Sequence, residues 1–383
     1  MTNPTITRRA LLLATSAALL VATGCGGGNS SSSAPARRGD LVGHRGIGTV
    51  SGVVLYDIDY RTLDVSGAIV TASGLVAVPQ GVTGPRPMLC YFHGTSTLRT
   101  DAPSNPSSLE GSAVAQIFGG AGYVVVAPDY PGLGDDGTGR QSFEQAGPLA
   151  IMGVDMLRAA RALTETLAVA LSAKLFLAGF SQGGYAAMAV HRAIESEYAS
   201  EFTVTASTPI SGPYDLSGTT LQAALNQPGP ETPATVAALL VAYNPVYHLF
   251  SAPTDVFAAP YAARIPGLFD GTHALGEIAS ALPATVTALL TPTFLATLTD
   301  PKSPLVTALR SNDVDSWKNT APVRLYHSPT DEEVPYANAV VAQARISARG
   351  GDIQIVPVAR DANHGTTPAL AVGPILAYFN GLI

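Results

Sequence analysis

Residues 175–183 read Leu-Phe-Leu-Ala-Gly-Phe-Ser-Gln-Gly, and this stretch constrains the chain more than any other. A short apolar strand runs into G-x-S-x-G with Ser181 at its centre. Gly184-Tyr-Ala-Ala-Met-Ala-Val-His-Arg-Ala-Ile then continues with helical character. Strand, tight turn and helix in that order are what a nucleophile elbow requires, with the serine forced out at the end of a sheet. Gly179 and Gly183 leave room for the turn. With 38 glycines in the chain the pattern alone carries little weight. The context carries the assignment.

A serine hydroxyl is a weak nucleophile until a base takes its proton, and the base needs a carboxylate to orient it. Val323-Arg-Leu-Tyr-His327 reads as a strand, followed by Ser-Pro-Thr-Asp331-Glu-Glu-Val-Pro335. Ile353–Val358 reads as another, followed by Arg-Asp-Ala-Asn-His364-Gly. Both candidates sit in loops just after strands, on the sheet edge that holds the elbow; Pro335 and Gly365 mark the turns. Asp331 is the favoured acid and His364 the base. Glu332 and Glu333 adjoin Asp331 and spacing does not separate them from it; Asp215, after the strand 202–210, is a further alternative. Of seven histidines, His191 is expected on a partly exposed helix face and His327 as a structural residue at a strand end. His248 and His273 fall in a helical insertion, and His44 in a flexible lead-in.

The developing oxyanion needs two donors. One is the backbone N–H of Gln182, after the nucleophile. The other is expected from the loop after Pro87-Met-Leu-Cys-Tyr-Phe-His93-Gly94, where the Thr95 N–H is best placed. Losing one such donor costs about 2.7–4 kcal/mol of transition-state stabilisation.

Several segments together resemble the α/β-hydrolase superfamily, and within it the secretory-lipase and bacterial carboxylesterase branch. They are Gly94 after a strand, Ala127-Pro-Asp-Tyr-Pro-Gly-Leu-Gly134, Gly179–Gly184, Ser211-Gly-Pro-Tyr-Asp-Leu-Ser217, Asp331-x-x-Val-Pro335 and Asn363-His364-Gly365. The resemblance spans roughly residues 50–383. It implies an α/β-hydrolase fold, ester hydrolysis and a Ser-Asp-His triad. Two positions depart from it: the loop is His-Gly-Thr rather than His-Gly-Gly-Gly, and position 327 is His where related sequences often carry Gly.

Thr7-Arg8-Arg9 opens the chain with a twin arginine of the Tat type. The apolar run from Leu11 to about Ala22 suits a signal peptide and is too short for a transmembrane helix, which needs about 20 residues. Ala-Thr-Gly24-Cys25 resembles a lipobox, so Cys25 is the expected lipid anchor to a membrane. In a Gram-negative host, Gly26 after it resembles the outer-membrane-directed type; otherwise the product is periplasmic or secreted. The division expected is a signal peptide over 1–24, a Gly/Ser-rich linker over 25–45 and a catalytic domain over 46–383.

Charged residues make up only 13% of the chain and the net charge is −7, which excludes a nucleic-acid partner. Neither of the two cysteines joins a Cys/His cluster with metal spacing, so no metal or other cofactor is expected. The partner expected is a small or lipid-like ester.

A leading hairpin over Gly52–Tyr60 and Ala68–Val78 precedes strands that alternate with helices, the pattern of a mostly parallel sheet. Residues of about 213–318 lack strand patterning and read as a helical cap inserted over the elbow. Pro233-Ala-Thr-Val-Ala-Ala-Leu-Leu240 and Pro283-Ala-Thr-Val-Thr-Ala-Leu-Leu290 read as two similar short helices opened by proline. Tyr214, Tyr243, Tyr247 and Phe250 are the expected lining of the substrate pocket, with Phe257, Tyr261 and Phe269 as further aromatics of the cap. A serine exopeptidase on the same fold is the second reading, and a non-catalytic binding lipoprotein the third.

Overall fold

The computed structural model describes residues 36–134 and 141–383. Ala36–Ile383 form one compact unit. Nine strands make a single sheet: β1 Leu41–Val50, β2 Val53–Leu63, β3 Ile69–Pro79, β4 Arg86–Phe92, β5 Val124–Pro128, β6 Leu171–Phe180, β7 Val204–Ile210, β8 Val323–His327 and β9 Ile353–Pro357. Their order across the sheet is β1-β2-β3-β5-β4-β6-β7-β8-β9. The first four neighbours pair antiparallel, and from β5 to β9 every pairing is parallel.

The middle strands β4 and β5 are mostly apolar because helices cover both of their faces. Side chains of the middle strands divide with the period of two that a pleat imposes. Met88, Cys90, Phe92, Leu175 and Leu177 face one core with α2 (Ala146–Thr166) and α3 (Gln182–Glu197). Leu89, Tyr91, Phe176 and Ala178 face the other, with α1 (Leu109–Val114) and the C-terminal helix Thr367–Asn380. Cys90 is buried and unpaired in β4.

One strand was not expected. β1 begins at Leu41, so 41–45 belong to the sheet rather than to a linker, and His44 lies in that strand, paired with Ile58. Its sequence, Leu-Val-Gly-His-Arg-Gly-Ile-Gly-Thr-Val, carries three glycines and a largely exposed surface, as befits an edge. Arg38 then ties this end down through its Nε, 3.0 Å from the buried carboxylate of Asp155 on α2. The leader, Cys25 and most of the expected linker lie outside the described residues.

The chain between β7 and β8 is helical, with one isolated bridge, Phe257 to Leu290. The two proline-led repeats do not fold alike. Pro233 opens α4, sixteen residues from Thr232 to Tyr247. Pro283 lies outside a helix, and the next helix is only Val286–Leu289, capped by the Thr285 hydroxyl. Packing, rather than the local octapeptide, decides how far each helix runs.

Candidate active site

The elbow is built by close backbone approach. Ser181 has φ 56° and ψ −119°, a conformation L-residues rarely adopt, and its N–H donates to the Ile210 carbonyl at 2.8 Å. A Cβ on Gly183 would stand 1.9 Å from the Phe92 carbonyl oxygen, and one on Gly179 2.3 Å from that of Gly183. Neither neighbour can yield, because both are backbone. Gly183→Ala is therefore expected to displace the elbow. A shift near 1 Å at a reacting atom costs on the order of 10²-fold in rate. Activity falling at least that far, with a lowered melting temperature, is the outcome to look for in kinetics and thermal unfolding. A fully active, equally stable variant would contradict it.

Ser181 Oγ lies 3.0 Å from His364 Nε2. His364 Nδ1 lies 2.8 and 3.0 Å from the two oxygens of Asp331. An ionised carboxylate only accepts, so the proton sits on Nδ1 and Nε2 is left to accept from the serine hydroxyl. Asp331 also accepts from the backbone amides of Glu333 (3.1 Å) and Val334 (2.9 Å). Burial works to raise its pKa, but hydrogen bonds and charge from His327 and His364 outweigh it, holding the carboxyl well below the usual range.

The alternative acids are engaged elsewhere. Asp215 accepts from the amide and hydroxyl of Thr219 at 2.8 Å each and pairs with Arg345 at 3.0 Å. Glu332 accepts from the backbone N–H of His364 at 2.9 Å and so fixes the loop rather than the ring. Glu333 accepts from the Glu231 N–H at 2.9 Å.

His327 is buried at the end of β8 and touches Asp331. Its Nε2 lies 2.9 Å from the Val334 carbonyl and 3.4 Å from Asp331 Oδ2. The carbonyl can only accept, so Nε2 carries the proton; Nδ1 is buried with no hydrogen-bond partner among the described residues. His191 is not on an exposed face. It is fully buried, between the Ser207 hydroxyl (2.8 Å) and Glu195 (3.1 Å).

Above the serine, the Thr95 amide makes no hydrogen bond among the described residues. Gln182 is the first residue of α3, where an amide has no partner within the helix. The loop carrying Thr95 is held from behind. The His93 ring spans the carbonyls of Gly94 (2.7 Å) and Asp129 (3.2 Å), and stacks on Tyr130 at 4.0 Å. Tyr130 in turn donates to the His93 carbonyl at 2.8 Å. The buried Asp129 accepts from Ser73 and from Ser104. The Ala127–Gly134 segment thus buttresses the loop that holds Thr95.

A pocket of about 220 Å³ opens over Ser181 and His364. Its walls include Thr95, Phe143, Glu144, Phe180, Leu239 and Glu333. None of the four aromatic residues expected there lines it. Tyr214 is fully buried and its hydroxyl accepts from Gly212 N–H. Tyr243 is buried and donates to the Glu144 carbonyl at 2.8 Å. The Tyr247 hydroxyl accepts from Asn312, and Phe250 packs edge-on against Phe257. These rings fasten the insertion to the core. Glu110 and Glu144, which do line the pocket, carry no local sequence signal, since strands, α3 and the insertion together bring them there.

A nucleophile elbow at the end of a parallel strand, with candidate acid and base after the last two strands, is the arrangement of an α/β hydrolase. The chain belongs to the alpha/beta hydrolase family, whose model matches residues 91–371. It is similar to a protein of Legionella pneumophila assigned provisionally as a hydrolase, with 30% identity, a TM-score of 0.85, and 89% of this chain and 98% of that one covered. It is also similar to the ligand-bound form of LipA, a rice cell wall degrading esterase of Xanthomonas oryzae, at 28% identity and TM-score 0.84, covering 90% and 98%. Candida antarctica lipase A shares the fold at 20% identity and TM-score 0.71, covering 91% and 83%. No protein of curated function matches the sequence.

Proposed function

We propose that this hydrolase is an exported serine esterase acting through an acyl-enzyme. The observation that carries the reading is the continuous path from Ser181 through His364 to Asp331. In this mechanism Ser181 attacks the ester carbonyl while His364 Nε2 takes its proton, then returns it to the departing alcohol. Asp331 holds the Nδ1–H tautomer and the transient imidazolium. The amides of Gln182 and Thr95 bind the oxyanion. Water, deprotonated by the same imidazole, releases the acid. The esterase activity of LipA adds support at the level of reaction class. Hydrolysis of p-nitrophenyl acetate by the purified chain, together with labelling of Ser181 by a fluorophosphonate, tests the reading; an inactive, unlabelled protein would overturn it.

The exopeptidase reading gains from one observation: glutamates line the pocket, as an enzyme binding a free amine would require. An aminoacyl p-nitroanilide set against the acetate ester separates the two.

Export and anchoring rest on the leader. Residues after Cys25 are small and polar, with too little apolar surface to dock on the enzyme. Cys25→Ser is expected to move the protein from the membrane to the soluble fraction with ester turnover intact. Stable anchoring takes more than one acyl chain, which a fully processed lipoprotein cysteine supplies. A soluble wild-type protein whose N-terminal peptide begins beyond Cys25 would leave export alone.

A further inference from the structure

Glu144 occupies a place the proposed ester chemistry does not require. It is 8% exposed, and what it exposes faces the pocket over Ser181. The hydrogen bonds it makes among the described residues are to its backbone carbonyl, not its carboxyl. Its backbone sits in the left-handed region, φ 48°, and is clamped there by two buried tyrosines, Tyr185 and Tyr243, which donate to its carbonyl at 3.0 and 2.8 Å. A buried carboxylate without a partner is costly to hold, and a clamped non-glycine residue at positive φ adds to that cost. Burial pushes its pKa up to about 8.

Glu110, Glu231 and Glu333 line the same pocket from three other segments, and among the described residues no lysine or arginine lines it. Phe143 and Phe180 contribute aromatic surface, which attracts cations but not anions. Burial raises Glu333 as well. Among the described residues, an anionic substrate would find no lysine or arginine in this pocket to pair with.

We propose that this pocket is a cation subsite in which Glu144 pairs with an ammonium group of the substrate, so that the preferred substrate is an ester carrying a positively charged nitrogen. The assignment rests on the esterase reading for the word ester, but the binding of the cation stands apart from it.

The experiment measures binding to the Ser181→Ala chain, which leaves turnover out of the readout. The probes are choline and 3,3-dimethyl-1-butanol, equal in shape and differing by the charge. Choline is expected to bind at least tenfold more tightly by calorimetry. In Ser181→Ala/Glu144→Gln that preference should fall to about twofold or less. Between pH 7 and 9 the choline affinity should rise by up to about tenfold as Glu144 ionises through its pKa near 8, while the alcohol stays flat. Among the described residues, the titratable groups facing the pocket are Glu110 of α1, Glu231 at the start of α4, Glu333 after β8 and His364 after β9; Tyr185 and Tyr243 face the Glu144 carbonyl. The Gln variant isolates Glu144 among them.

Folding is checked on its own axis. A carboxyl whose folded pKa lies above its unfolded value near 4.5 loses stability as pH rises between the two. Glu144→Gln should therefore melt higher than its parent at pH 9. Equal binding of the two probes, or a choline preference that survives Glu144→Gln, would overturn the cation subsite. Failure of the wild type on p-nitrophenyl acetate would instead overturn the esterase reading, and the two outcomes are distinguishable.

Discussion

On the esterase reading, Ser181→Ala is expected to lower ester turnover on the order of 10⁶-fold, about 8 kcal/mol of transition-state stabilisation, while the protein stays folded. The magnitude follows from the loss of the acyl-enzyme route as a whole. His364 and Asp331 have nothing to activate without the hydroxyl, and a water in its place lacks the fixed attack geometry. What remains is the contribution of the two amide donors and of binding, about 10³–10⁴ over uncatalysed hydrolysis in enzymes of this kind. The fold is spared because Ser181 holds its place through its backbone: the N–H on Ile210 and the carbonyl accepting from Tyr185 at 3.1 Å. Alanine at φ 56° is strained as serine is, so the melting temperature should move little. Single-turnover kinetics on p-nitrophenyl acetate and a fluorophosphonate label read the effect. A variant that still takes the label would place the nucleophile elsewhere.

The parts of this molecule legible in the sequence are those whose structure is dictated within a few residues. β5 is an apolar run buried on both faces, the apolar Leu175–Ala178 of β6 is buried likewise, and the turn after β6 needs two glycines within five residues, so strand and elbow announce themselves. The placement of Asp331 and His364 beside Ser181 was legible because both follow short strands on one sheet edge. β1 was hidden: an edge strand with three glycines and Arg45 carries no alternation to detect. His191 misled because its helix is packed between the sheet and Trp317, at 5.8 Å from the histidine ring, so that no face there is solvent. The tyrosines of the insertion misled for a related reason. A tyrosine near a predicted pocket is as able to hold a carbonyl as to line the cavity, and Tyr243 does the former for Glu144. Glu144 itself depends on contacts spanning 41 and 99 residues of sequence, a relation no local pattern encodes.

The identity of the acid gives the second large effect. Asp331→Asn is expected to lower kcat by about 10⁴-fold with the native fold retained. An asparagine amide can donate to His364 Nδ1, which would move the ring proton to Nε2 and leave nothing to accept from Ser181. The effect on stability should be small but of definite sign. Asp331 is held ionised well below the ordinary carboxylate range, so its contribution is present above its unfolded pKa and is lost as pH falls through the folded value. Near neutral pH the asparagine variant loses that contribution, and the gap to wild type should close in strong acid. Asp215→Asn is the matched control. Asp215 caps the turn at Thr219 and pairs with Arg345, so its loss should lower the melting temperature and leave kcat within a few-fold of wild type. If Asp215→Asn were the inactive variant and Asp331→Asn nearly active, the carboxylate after β7 would be the acid, and the hydrogen bonds that Asp331 accepts from His364 would be structural alone.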